Sequence, residues 1–154
     1  MSALHSLFDS YSKDHQDPTN RAIHWICVPL IVWSVIALLW CVPAPTTLFR
    51  PGIYAAVAML SALMFYYKGS RVIGLTMLIV FVLMAAITSM LFNALGTKPL
   101  ATLAVGVFVV AWIGQFLGHK IEGRRPSFLT DLKYLLVGPA WLMSKFLDRI
   151  GVKY

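Results

Sequence analysis

Charge is scarce in this sequence. Its 154 residues include 13 Lys and Arg and 6 Asp and Glu, 12% of the chain, against 59% hydrophobic residues. A soluble domain of this size normally carries about a quarter charged residues, because its surface must face water. The shortage excludes an ordinary water-soluble sphere and leaves lipid as the solvent for much of the chain. Cysteine is scarcer still. Cys27 and Cys41 would stand ~21 Å apart on one helix, which excludes a disulfide between them. They lack metal-site spacing and read as small apolar core residues. The opening residues MSALHSLFDSYSKDHQD hold no long apolar core and no small-residue cleavage site, so no removable signal peptide is expected.

The charges that are present are mostly basic, with a net charge of +7 and a pI of about 9.7. They flank apolar runs and form no Lys/Arg stripe interleaved with aromatics, so no nucleic acid partner is expected; the pattern instead fits membrane topology and lipid headgroups.

Four stretches contain no Asp, Glu, Lys or Arg: Ala22–Phe49 with 28 residues, Pro51–Tyr67 with 17, Val72–Thr97 with 26 and Pro99–His119 with 21. About 20 residues cross a hydrocarbon core as a helix, and in lipid each backbone group must be paired within its own segment. Spans are therefore expected near 23–42, 53–67, 72–92 and 100–118, separated by VPAPTTLFRPG, by the turn Tyr66–Arg71 and by the breaker-rich stretch Asn93–Pro99. The second span is the shortest. After the fourth, Tyr134–Ser144 is apolar over only 11 residues and is interrupted by Gly138-Pro139. That is too short to span, so the region near 128–147 reads as interfacial or re-entrant. The expected fold is all-α: a single membrane domain over 1–154, an integral four-helix bundle with an additional C-terminal interfacial segment.

Four spans put both chain ends on one side. Eleven basic residues (Lys13, Arg21, Lys68, Arg71, Lys120, Arg124, Arg125, Lys133, Lys145, Arg149 and Lys153) then share the terminal side, and only Arg50 and Lys98 lie opposite. The positive-inside rule predicts cytoplasmic termini, in a bacterial inner membrane or an endoplasmic reticulum. No Asp, Glu, Lys or Arg falls inside a span, whereas transporters usually carry ionisable groups near the midplane. This argues for chemistry at the membrane edge.

That edge gathers histidines. His15 precedes the first span, His24 opens it and His119 closes the fourth, so topology places residues almost a hundred positions apart at one depth. His119 and Glu122, spaced i, i+3, share a helical face with Gln115. Imidazoles and a carboxylate suit non-haem iron with positions left open, and zinc accepts the same atoms. Gln115, Asn20 and Tyr11 are candidates to orient an imidazole through its other nitrogen. Taken singly, His24 could be a headgroup residue, His15 a loop residue, His119 a favourable helix C-terminal residue and Glu122 a partner of Arg124 or Arg125. His5 reads as incidental. The basic residues Lys13, Lys120, Arg124 and Arg125 at the lip of an apolar bundle suit an anionic head on an apolar tail, or serve topology alone.

Two motifs carry a resemblance. Tyr11-Ser12-Lys13-Asp14-His15, Asn20-Arg21-Ala22-Ile23-His24 and Val28-Pro29 form the first. Trp112-Ile113-Gly114-Gln115-Phe116-Leu117-Gly118-His119, followed by Glu122-Gly123-Arg124-Arg125-Pro126, forms the second. In order and spacing the chain resembles the 2-hydroxy fatty acid dioxygenase family over essentially its whole length. Cys27 departs from the pattern, which has glycine there. The resemblance implies a small multispan enzyme that uses Fe(II) and O2 to shorten 2-hydroxy fatty acids by one carbon in α-oxidation. It implies His15, His24 and His119 as iron ligands, with Glu122 either a fourth ligand or a partner to the ligands. Arg21 or Arg124 would steady the substrate carboxylate, with Asn20 and Tyr11 beside the substrate and its tail between helices or in lipid. A zinc-dependent membrane hydrolase on the same histidines, or a membrane scaffold without catalysis, are the alternatives.

Overall fold

The computed structural model describes residues 3–45, 49–123 and 128–154, and side-chain surroundings for these apart from 3–5, 14 and 128–134. The described residues form six helices and no strand: α1 (Ala3–Asp14), α2 (Pro18–Trp40), α3 (Ile53–Gly69), α4 (Arg71–Leu95), α5 (Thr97–Glu122) and α6 (Phe128–Arg149).

Helix α2 begins five residues earlier than the span expected near 23–42. Asp17 is extended, and its carboxylate accepts hydrogen bonds from Thr19 N at 2.7 Å and Asn20 N at 3.0 Å. Pro18 follows at the first helical position, where its missing N–H costs nothing. Asn20, Arg21 and His24 therefore all lie on α2. The turn Tyr66–Arg71 contracts to Ser70, which closes α3 through a bond from its N–H to Tyr66 O at 2.9 Å and caps α4 with its hydroxyl. The breaker stretch Asn93–Pro99 contracts likewise to Gly96, whose φ of 79° lies where only glycine is unstrained.

Three helices, α2, α4 and α5, are long and apolar enough to cross a membrane. Their outward faces carry exposed Leu75, Ile79, Val82, Met90, Val105 and Val110, as lipid contact requires. Helix α3, at 17 residues, reaches ~25 Å against a core of ~30 Å. The chain is thus an all-helical membrane protein.

Helix α2 is the centre, touching α3, α4, α5 and α6, and its closest partner is α5. Two glycines one turn apart explain that approach. A Cβ on Gly114 would sit 2.6 Å from Cys27 Sγ, and one on Gly118 would collide with Asn20 Oδ1. Small residues at i, i+4 let helix backbones meet where the hydrophobic effect supplies no attraction. Cys27, the departure from the family pattern, is thereby a packing residue.

Helix α6 runs continuously through Gly138-Pro139, contrary to the expected interruption. Proline removes one helical bond, normally at a cost of ~3 kcal/mol. Neighbours hold the helix on both sides of it. Tyr66 Oη donates to Leu136 O at 2.8 Å, and Val137, Ala140 and Trp141 are buried. Gly138 leaves room for the Tyr11 hydroxyl. Trp141 in turn stacks obliquely on Tyr11 at 5.0 Å and donates Nε1–H to Ser12 Oγ at 2.8 Å. Helix α1 is fixed to α6 in this way.

Candidate metal centre

Three elements deliver the histidines. His15 follows α1, turned back by a bond from its N–H to Ser12 O at 3.3 Å. His24 lies two turns inside α2, and His119 in the last turn of α5. The α2–α5 contact at Gly118 brings the last two together directly. The ring centroids stand 5.2 Å apart for His24 and His119, 5.4 Å for His15 and His119, and 4.5 Å for His15 and His24. One nitrogen from each ring falls within 4.8 Å of the others. His15 is 3% exposed and His24 2%. They line a cavity of about 40 Å³ with Tyr11, Val28, Ile31, Trp112, Gln115 and Leu135.

The hydrogen bonds fix the tautomers. His15 Nδ1 lies 2.7 Å from Tyr11 O, and His24 Nδ1 lies 2.9 Å from Asn20 O. A carbonyl only accepts, so both Nδ1 atoms carry protons and donate. Each Nε2 then turns a lone pair towards the other, at 3.1 Å. Two lone pairs at that distance repel unless a cation, either a proton or a metal ion, lies between them. Two nitrogens bound ~2.1 Å from one ion stand ~3 Å apart, which is the spacing seen. Backbone carbonyls holding the far nitrogens are the usual arrangement behind metal-bound histidines. The donor set therefore fits a divalent transition metal. Tyr11 adds rigidity by stacking face to face on His15 at 3.9 Å, with 10° between the rings.

Glu122 stands apart from this cluster, and its carboxylate is engaged elsewhere. Oε1 accepts from Gln16 N at 2.8 Å, and both oxygens accept from Asp17 N at 3.0 Å. Asn20 Nδ2 donates to Oε2 at 2.9 Å. Glu122 thus clasps the α1–α2 connection onto the end of α5. Asn20 serves three groups: its amide reaches Glu122, its carbonyl holds His24, and its side chain packs on Gly118.

Of the other residues singled out from the sequence, Tyr11 and Gln115 line the cavity. Gln115 is 6% exposed, and its Oε1 has no hydrogen-bond partner among the described residues. Arg21 is exposed and outside the cavity lining, because it sits ~100° round α2 from the buried Asn20. Arg124, Arg125 and the His5 side chain lie outside the described residues. Sequence reasoning did not single out Leu135 of α6 as a wall of the cavity, or Trp141 as the brace behind Tyr11. Nor did it find the backbone donors of Gln16 and Asp17, which no side-chain pattern announces.

The family model for 2-hydroxy-palmitic acid dioxygenase Mpo1-like proteins matches residues 1–150. The yeast (Saccharomyces cerevisiae) protein named 2-hydroxy-palmitic acid dioxygenase MPO1 is 27% identical over 154 residues, covering 96% of this chain and 82% of the yeast protein. No solved structure matches. The chain belongs to the Mpo1-like family.

Proposed function

We propose that this Mpo1-like membrane protein is an Fe(II)-dependent dioxygenase that acts on 2-hydroxy fatty acids and shortens them by one carbon. The observation that carries the metal is the 3.1 Å opposition of two Nε2 lone pairs beside a third, half-buried imidazole. The reaction class rests on the family and on the yeast relative's name.

In this reading His15, His24 and His119 hold Fe(II), which when bound supplies the redox chemistry with O2 as co-substrate. Three protein ligands leave positions for substrate oxygens. Glu122 acts as a positioning residue: by fixing Gln16, Asp17 and Asn20 it sets His15 and His24 against His119. Tyr11 and Trp112 wall the cavity and exclude water. Gln115 Oε1, buried and lacking a donor among the described residues, accepts a hydrogen bond from the substrate 2-hydroxyl. Such a pairing discriminates well, because an acid without the hydroxyl leaves the oxygen orphaned. Arg21, exposed on α2 just before His24, and Arg124 are the cations that would meet the carboxylate at the rim. The charge split supports a site and both termini at the cytoplasmic edge.

The test is metal analysis of the purified protein together with turnover of 2-hydroxyhexadecanoate, aerobic and anaerobic. Iron with O2-dependent turnover supports the reading. Bound zinc, no turnover of the free acid with or without O2, and O2-independent cleavage of its ester would indicate a zinc hydrolase on the same histidines. Iron retained at full occupancy in a His15→Ala, His24→Ala, His119→Ala protein would sink the site assignment.

A further inference from the structure

The cavity at the histidines is too small for a fatty acid, but it is not isolated. Val28 forms part of its wall and also part of a second cavity, of about 270 Å³, between α2, α4 and α6. Trp25, Val32, Met77, Met84 and Phe146 help to line the second space. A third cavity, of about 120 Å³, meets the second at Val32 and the histidine cavity at Leu135.

We propose that the second cavity is the acyl-chain subsite, so that the substrate tail lies inside the bundle and bends past Val28, with chain length read at Val32 and Met84. The inference rests on the dioxygenase reading above. Three observations carry it. First, the two spaces share a wall residue one helical turn beyond His24 on α2. Second, the groove follows the helices inward. Val32 stands ~12 Å along α2 from His24, and Met84 ~10 Å along α4 from Met77. A chain entering there leaves its polar head at the histidines and buries only methylenes. Third, three of the chain's seven methionines, Met77, Met84 and Met143, line the groove. Methionine is flexible and polarisable, and it suits a surface that must fit chains of differing length. Pro29 and Pro139 face the same space. Neither can donate within its helix, so each favours a local bend beside the groove.

The test uses the full protein in detergent or nanodiscs. Val32→Trp fills the point where the two apolar cavities meet, and Met84→Trp blocks the groove independently from α4. Each is expected to lower the preference for 2-hydroxyhexadecanoate over 2-hydroxyoctanoate at least about tenfold, the equivalent of losing roughly two buried methylenes. An unchanged preference in both variants overturns the groove. In parallel, 2-hydroxyhexadecanoate carrying a terminal diazirine is photolysed with the wild-type protein. Adducts on the groove-lining segments of α2, α4 or α6, displaced by unlabelled acid, support the assignment. Adducts confined to outward faces, or groove adducts that unlabelled acid does not displace, place the tail in lipid or the groove under a membrane lipid, and overturn it. Failure of the underlying reading is distinct: the wild type would turn over no 2-hydroxy acid of either length. The photolabelling, done on the wild type, still reads the groove where a variant folds poorly or turns over slowly.

Discussion

His15 Nε2 and His24 Nε2 face each other at 3.1 Å, and the opposite nitrogen of each ring is committed to a backbone carbonyl. Neither ring can rotate to relieve the opposition without giving up a buried hydrogen bond, worth about 1 kcal/mol net and more if the carbonyl is stranded. The pair is therefore set to receive a cation. His15→Ala and His24→Ala are each expected to weaken iron binding at least about 100-fold, a loss larger than the ~10–100-fold seen when groups behind ligands are removed. Equilibrium dialysis with elemental analysis measures it. Binding within a factor of a few of the wild type would show that the pair shares only a proton.

Glu122 gives a different signature from a ligand. Glu122→Gln keeps the shape but loses the charge that gathers three N–H donors. Iron affinity is expected to fall about tenfold while the three-imidazole coordination persists in X-ray absorption. A change in the first coordination sphere of the variant would instead make Glu122 a ligand.

The glycine contact links helix packing to the site. Gly118→Ala places a methyl group into Asn20 Oδ1, and Gly114→Ala places one 2.6 Å from Cys27 Sγ. Overpacking costs ~1–3 kcal/mol. Both variants should melt earlier in detergent. Gly118→Ala, which pushes on the residue that holds both His24 and Glu122, should also lose iron affinity, whereas Gly114→Ala should lose less.

Gln115 should separate substrate choice from metal binding. Gln115→Leu removes a buried carbonyl that lacks a donor, so stability and iron content should hold or rise. Selection of a 2-hydroxy acid over the plain acid should fall about tenfold, as expected for one lost neutral hydrogen bond in a buried site. Competitive binding of the two acids measures it.

Much of this was legible in the sequence because lipid leaves the backbone few choices. Charge-free runs had to be helices, and their lengths marked α2, α4 and α5. The convergence of His24 and His119 followed from topology, but it depended on the short second span crossing the membrane. The ring contact at 5.2 Å now supports it directly. Less was legible where single residues replace whole turns, as at Ser70 and Gly96, because breaker-rich composition does not say how few residues a turn needs. Helix α1 had a readable stripe in Leu7, Phe8 and Tyr11, but its polar composition masked it. The continuity of α6 through Pro139 depends on Tyr66 and Tyr11, far away in the chain. Glu122 meets backbone donors 105 and 106 residues away, and only the assembled fold could show that.

O2-dependent chain shortening at the three-histidine centre is read by turnover of 2-hydroxyhexadecanoate by the iron-loaded protein under 18O2, with mass analysis of the product. The expected product is an acid one carbon shorter that carries label from 18O2, formed by the wild type and abolished in His119→Ala. A shortened acid formed without O2, or substrate returned unshortened by iron-loaded wild type under O2, would contradict it.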